Sequence, residues 1–156
     1  MKNFYFLFLL ISSLSFSQSR DFSEIWVNNK DFFVGKINES DFQIKIENSE
    51  ENQMNNKEFM ISGFSLVDGS NQSNFKGKII ITDFKNHDKR SIAVGNYQFF
   101  EEGSGKHVGK FEGKVEVIFT KINEKVEAIE SVKFMGNWIN NEGSLSFNTI
   151  LEKNKK

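Results

Sequence analysis

Strict alternation of apolar and charged side chains marks the stretch KFEGKVEVIF, residues 110–119. One face of the extended chain would carry the apolar side chains and one glycine: Phe111, Gly113, Val115, Val117 and Phe119. The other face would carry lysines and glutamates: Lys110, Glu112, Lys114 and Glu116. Because successive side chains of a strand point to opposite faces, this pattern predicts a strand between a hydrophobic core and water.

Similar rows of inward-pointing side chains recur along the chain: Phe42, Ile44 and Ile46; Val132, Phe134, Gly136 and Trp138; Leu145 and Phe147. Less regular strands are predicted over residues 32–37, 58–67, 75–84, 91–101 and 125–134. Short clusters rich in Gly and Asn, which favour hairpin turns, separate these segments. The sequence therefore predicts an all-β, antiparallel up-and-down meander that forms a small barrel of about eight strands or a β-sandwich.

Three segments lack this alternation. Residues 47–57 are rich in Asn, Glu and Gln, which predicts a long exposed loop. Residues 152–156 form a charged tail, which we expect to fray. Phe22, Ile25 and Trp26 have helical spacing, so a short helix that plugs one end of the barrel is a further expectation.

Residues 1–17 have the order of features typical of a cleaved signal peptide. Lys2 provides a positive charge, residues 4–11 form an unbroken apolar run, and residues 15–17 read Ser-Phe-Ser. The apolar run is too short to span a bilayer, which requires about 20 apolar residues. The sequence therefore predicts a signal peptide over 1–17 and one exported β-rich domain over 18–156, periplasmic or extracellular and without a transmembrane helix.

Composition restricts the possible functions of the exported domain. Without Lys2, the 20 basic residues fall to 19 against 21 acidic residues, a net charge of −2 with both signs mixed along the chain. That distribution offers no basic field for nucleic acid. The absence of cysteine excludes disulfides, thiol nucleophiles and thiolate metal sites. Phenylalanine is abundant, and since its ring has no polar group, we expect most of these rings in the interior.

No motif in the chain predicts catalysis, a metal site or a cofactor. The two histidines, His87 and His107, lie in predicted turns and lack the spacing of zinc ligands. Glu101 ends a predicted strand and Glu102 follows it directly, so if the extended backbone continues, their side chains point to opposite faces and cannot act on one substrate together. No nucleophile motif of the Gly-x-Ser-x-Gly type is present.

The phrase Gly136-Asn137-Trp138 resembles the Gly-x-Trp that lipocalins and related small barrels carry on an early strand, where the Trp closes one end of the barrel. Here the phrase lies near the end of the chain instead. The resemblance implies a small lipocalin-like barrel or sandwich, and no functional residue follows from it.

The leading functional hypothesis is a non-enzymatic protein that binds a small apolar ligand or a protein of the cell envelope. The candidate ligand-binding residues are the large inward aromatics: Phe42, Phe111, Phe119, Phe134, Trp138 and Phe147. One alternative is a small outer-membrane barrel, because alternating faces also suit a strand between lipid and a polar lumen. A second is a barrel-type enzyme that uses His87 or His107. The sequence leaves the oligomeric state open.

Overall fold

One short helix and eight strands make up the part of the chain that the computed structural model describes, residues 22–27, 31–122 and 125–153. In chain order these elements are α1 (Ser23–Trp26), β1 (Phe33–Ile37), β2 (Ser40–Asn52), β3 (Asn55–Val67), β4 (Asn71–Asn86), β5 (Arg90–Glu101), β6 (Gly109–Ile122), β7 (Lys125–Asn140) and β8 (Ser146–Lys153). The predicted signal peptide, residues 1–17, lies outside the described residues.

The eight strands form a closed antiparallel barrel in which each strand pairs with the next along the chain. The barrel closes where β1 pairs with β8, with Phe33 opposite Lys153 and Ile37 opposite Thr149. The predicted all-β meander is thereby confirmed, and of the two predicted architectures the structure is the barrel and not the sandwich.

Strand β6 shows how the sequence pattern builds the wall of the barrel. Phe111, Val115 and Phe119 are each at most 1% exposed and belong to the hydrophobic core, as the alternation predicts. On the outer face, the ammonium of Lys110 forms an ion pair with Glu112 at 2.9 Å. The core therefore fills the barrel, and charged side chains line its outer surface.

Two glycines face each other in the pairing of β6 with β7. Gly113 pairs with Gly136 in the strand register. A Cβ atom on Gly113 would lie 2.2 Å from the backbone oxygen of Met135, and one on Gly136 would lie 2.1 Å from that of Glu112. Any side chain here would push the strands apart, so both positions require glycine.

Helix α1 lies at one end of the barrel, which we call the helix end. Trp26 is fully buried, and its ring centroid lies 5.8 Å from that of Phe59 and 6.4 Å from that of Phe134. Phe22, just before the helix, packs edge-on against Phe119 at 5.5 Å. The short plugging helix expected from the spacing of Phe22, Ile25 and Trp26 is present. Among the described residues, no helix has the length and apolarity that a membrane span needs.

The prediction of a long loop over residues 47–57 is wrong. Strand β2 continues to Asn52 and β3 begins at Asn55, so the polar segment is a paired hairpin with a two-residue tip. Glu51 pairs with Phe59, after a register shift between Ile46 and Asn48. The hydrogen bonds between paired strands join backbone groups and therefore do not require apolar side chains. A polar composition alone is for this reason not evidence against a strand.

The prediction of a frayed tail over residues 152–156 is also wrong for its first two residues. Glu152 and Lys153 belong to β8 and pair with Val34 and Phe33 of β1. Glu152 also forms a 2.8 Å ion pair with Lys133 of β7. These two charged residues therefore contribute backbone pairing to the strand pair that closes the barrel. Residues 154–156 lie outside the described part of the chain.

Candidate functional site

A cavity of about 720 Å³ lies at the end of the barrel opposite α1. The connections from β1 to β2, β3 to β4, β5 to β6 and β7 to β8 surround it, and we call it the open-end cavity. It is lined by Ile37, Asn38, Ser40, Phe42, Val67, Ser70, Asn71, Gln72, Ser73, Glu101, His107, Phe111, Trp138 and Phe147. Its volume falls within the usual range for small-molecule sites, about 300–1,000 Å³.

Two stacked aromatic pairs provide the apolar part of this cavity. The rings of Phe42 and Phe111 come from β2 and β6 and meet across the barrel interior, with centroids 5.0 Å apart and planes 22° apart. Trp138 of β7 stacks on Phe147 of β8 at 6.0 Å and 13°. Phe42 and Phe111 are each 1% exposed and belong both to the hydrophobic core and to the cavity lining, and we call this pair the floor of the cavity.

One carboxylate, that of Glu101, lines the cavity beside these aromatic rings and seven other polar residues. Glu101 ends β5 on the inward-pointing row that also contains Tyr97 and Phe99. Its Oε2 accepts hydrogen bonds from the indole Nε1 of Trp138 at 2.8 Å and from the backbone N–H of Gly109 at 3.0 Å. Its Oε1 accepts one from the hydroxyl of Ser65 at 2.9 Å. Groups from β3, β6 and β7 thus hold the end of β5.

The three hydrogen bonds to Glu101 come from neutral donors. Lysine and arginine are missing from the lining of the open-end cavity, and within the described residues no cationic side chain forms an ion pair with Glu101. Its neighbour Glu102 differs, because it points outward and pairs with Lys76 at 2.7 Å. The cavity therefore combines aromatic surface with one carboxylate that its own wall does not neutralise.

Four of the six predicted ligand-binding residues lie together in this cavity: Phe42, Phe111, Trp138 and Phe147. Phe119 lies at the helix end, where it lines a separate cavity of about 390 Å³ with Phe22 and Phe59. Phe134 is a core residue whose ring packs edge-on against Phe33 and Tyr97, at 5.1 Å from each. That any of the six contacts a ligand stays a prediction.

The two histidines lie at opposite ends of the barrel. His87 is in the connection from β4 to β5 at the helix end, and His107 is in the connection from β5 to β6 at the open-end cavity. Both side chains are exposed. Over residues 22–27, 31–122 and 125–153, no group of three or more His, Cys, Asp or Glu side chains is arranged to hold a metal ion.

Glu101 is the functional candidate that sequence reasoning missed. The side chains of Glu101 and Glu102 point in opposite directions, as expected, with Glu102 just beyond the end of β5, but the sequence analysis gives neither residue a place in a site. The missed signal is that Tyr97, Phe99 and Glu101 share one face by alternation, which places a carboxylate at the end of an apolar row.

No protein-family model, curated protein or solved structure matches this chain. A barrel architecture is compatible with many unrelated functions. The function therefore has to be inferred from the open-end cavity itself.

Proposed function

We propose that this chain is an exported, non-enzymatic binding protein whose open-end cavity holds a small, largely apolar molecule. The observation that carries the proposal is the cavity of about 720 Å³ bounded by the two stacked pairs, Phe42 with Phe111 and Trp138 with Phe147. Ligand sites are typically concave, mostly apolar and supplied with a few polar groups. Export rests on the signal peptide predicted from residues 1–17.

The distribution of charge favours this proposal over the outer-membrane alternative. A membrane barrel presents apolar side chains to lipid and polar side chains to its lumen. Here the interior is apolar, and ion pairs such as Lys110 with Glu112 and Lys133 with Glu152 lie on the outer face. The chain has the opposite arrangement, which suits a barrel surrounded by water.

The enzyme alternative receives less support from the arrangement of the histidines. His87 and His107 lie at opposite ends of the barrel and cannot act on the same substrate. His107 lines the open-end cavity together with Glu101, but the carboxylate of Glu101 is bonded to Ser65, Gly109 and Trp138. We therefore propose that Glu101 binds and orients a ligand.

The proposal can be tested with the two tryptophans, since Trp138 lines the open-end cavity and Trp26 lies at the helix end. In a Trp26→Phe variant, a panel of fatty acids, retinoids, arylalkylamines and arylalkyl alcohols should contain compounds that change the emission of Trp138. The same compounds should raise the melting temperature, because a ligand that binds only the folded state stabilises it. In a Trp138→Phe variant, the emission of Trp26 should stay unchanged.

A matched pair of variants on β3 locates the binding. Val67 lines the cavity, whereas its neighbour Leu66 points to the outer face. Val67→Phe should fill part of the cavity and weaken binding, while Leu66→Phe should leave it unchanged. A panel that changes neither emission nor melting temperature would contradict the proposed function.

A further inference from the structure

We infer that the ligand of the open-end cavity carries a positively charged amine next to its apolar part, and that the carboxylate of Glu101 receives this amine. The inference rests on the proposed function and deepens it by naming the chemical class of the ligand. Four features of the cavity carry it: the neutral donors around Glu101, a free acceptor position, nearby aromatic surface, and a lining without lysine or arginine.

The first step concerns charge. Glu101 is partly buried, and withdrawing a carboxylate from water is unfavourable unless hydrogen bonds or an opposite charge compensate for the lost hydration. Ser65, Gly109 and Trp138 supply hydrogen bonds to Glu101 but no positive charge. A cation that enters the cavity would therefore meet a carboxylate already fixed in position and still able to form a charged pair.

The second step concerns acceptor capacity. The two oxygens of a carboxylate together offer about four acceptor positions. Oε2 of Glu101 uses two of them, for Trp138 and Gly109, and Oε1 uses one, for Ser65. No other donor among the described residues reaches Oε1, so one of its acceptor positions remains, and Glu101 itself lines the cavity. A primary ammonium group has three N–H donors and can use this position.

The third step concerns the surroundings of the bound amine. Trp138 both lines the cavity and donates to Glu101, so an amine at Glu101 would lie close to the stacked pair of Trp138 and Phe147. Because the N–H edge of the indole ring points at Glu101, this pair would offer apolar surface to the carbon atoms next to the amine, while the charge itself would be met by the carboxylate. The floor formed by Phe42 and Phe111 would take the apolar part of the same ligand.

The fourth step concerns selectivity. Among the described residues, the cavity lining contains neither lysine nor arginine, so an acidic ligand would be repelled by Glu101 and could meet only the exposed imidazole of His107. A neutral alcohol could fill the apolar volume and share a hydrogen bond, but it would form no ion pair. The expected order of affinity is therefore amine, then alcohol, then carboxylate.

The test uses three ligands that share an indole ring: tryptamine, tryptophol and indole acetate. Isothermal titration calorimetry at neutral pH, where an aliphatic amine is charged, should show tryptamine binding on the order of tenfold more tightly than tryptophol, as expected for a hydrogen bond to a charged group. Indole acetate should bind most weakly. Glu101→Gln should remove the preference, so that the ratio of the affinities for tryptamine and tryptophol, measured in that same variant, falls to about one.

The matched control is Glu102→Gln, which makes the same change of charge at the adjacent, outward-pointing residue and should keep the preference. Equal affinities for tryptamine and tryptophol, or a preference that survives Glu101→Gln, would overturn the inference and leave the proposed function standing. If only neutral or acidic compounds of the wider panel bind, the inference of an amine ligand is likewise overturned and the proposed function stands. Absence of binding by every compound would overturn both. If Glu101→Gln does not fold, the order of affinities in the unaltered protein decides.

Discussion

The indole N–H of Trp138 donates a 2.8 Å hydrogen bond to Oε2 of Glu101 and so connects β7 to β5 across β6. The intervening strand contributes the N–H of Gly109 to the same oxygen. One carboxylate oxygen thus fixes three consecutive strands at the rim of the open-end cavity. The residue proposed to bind the ligand also helps to hold the wall of its site in place.

A double-mutant cycle would measure this connection. Trp138→Phe removes the donor and Glu101→Leu removes the acceptor, and we expect a coupling free energy of about 1 kcal/mol or more between the two changes. Trp26 provides the control, since it lies at the helix end, so Trp26→Phe combined with Glu101→Leu should be additive within about 0.5 kcal/mol. Urea unfolding gives all the required values. Additive effects for the pair Trp138 and Glu101 would show that the hydrogen bond contributes nothing to stability.

The close approach of β6 and β7 leads to a second prediction. A Cβ at residue 113 would lie 2.2 Å from a backbone oxygen, so Gly113→Ala should destabilise the fold by several kcal/mol, on the order of a strained core substitution or more. Gly69 is the control, because its φ is +71° and a Cβ there would meet nothing within 4 Å. Gly69→Ala should cost only about 1–2 kcal/mol, the penalty of the left-handed backbone. Thermal unfolding compares the two; equal losses would contradict the role assigned to Gly113.

The burial of Tyr97 leads to a prediction for the free energy of unfolding at alkaline pH. Burial raises the pKa of Tyr97 above its ordinary value of 10.0, and the nearby hydroxyl of Thr149 acts in the opposite direction with a smaller effect. A raised pKa in the folded state gives a contribution to stability that is complete below the unfolded pKa and is lost as pH rises through the folded pKa. We therefore expect stability to fall above about pH 10.

The tyrosine can be followed directly in protein that begins at residue 18, where Tyr97 is the only tyrosine. Ultraviolet difference absorbance should show its ionisation above the range of a free tyrosine, and Tyr97→Phe should remove its share of the alkaline loss of stability. Ionisation at the ordinary pKa would contradict the burial of this ring.

On the outer face, the pKa of Glu112 is lowered, chiefly by its hydrogen bond with Lys110 and to a smaller extent by that with Gln98. A lowered pKa in the folded state gives stability that is present above the unfolded pKa and is lost as pH falls through the folded pKa. Lys110→Met should therefore move the pKa of Glu112 upward, towards its ordinary value of 4.5, as measured by carbon-detected NMR of the carboxyl group.

The control for Glu112 is Lys114→Met. The ammonium of Lys114 donates to the side-chain oxygen of Asn96 at 2.6 Å, and its removal should change the pKa of Glu112 less. Equal shifts from the two variants would mean that net charge, and not the contact with Lys110, sets the pKa. Because Glu112 lies near the surface, added salt should also weaken the effect of Lys110.

Local alternation was sufficient to predict which side chains of a strand point inward, as Phe111 and Val115 show. It could not distinguish a barrel from a sandwich, because that choice depends on β1 pairing with β8 across almost the whole chain, for example Gly35 with Leu151. Composition misled the prediction for residues 47–57, where backbone pairing forms a hairpin despite polar side chains. Strand pairing is a long-range property that local patterns do not contain.

The candidate site was predictable only in part, because local alternation gives the direction of a side chain but not its neighbours on other strands. The inward direction of Phe42, Phe111 and Trp138 follows from alternation, but their shared position at one end depends on strand register. Phe134 has an equally good inward pattern, and yet it lies in the filled core among other aromatic rings. The surroundings of Glu101 come from three other strands, so its neighbours could be known only from the folded barrel.

Pairing of the first strand with the last places the two chain ends of the barrel side by side, with Phe33 opposite Lys153. Such proximity is what makes circular permutation tolerable in small domains. A linker could connect the end of β8 to the segment that carries α1, and new termini could open between β4 and β5, on the side remote from the open-end cavity. The permuted protein would keep its strand pairs and leave the loops around the cavity free for redesign as a scaffold for other ligands.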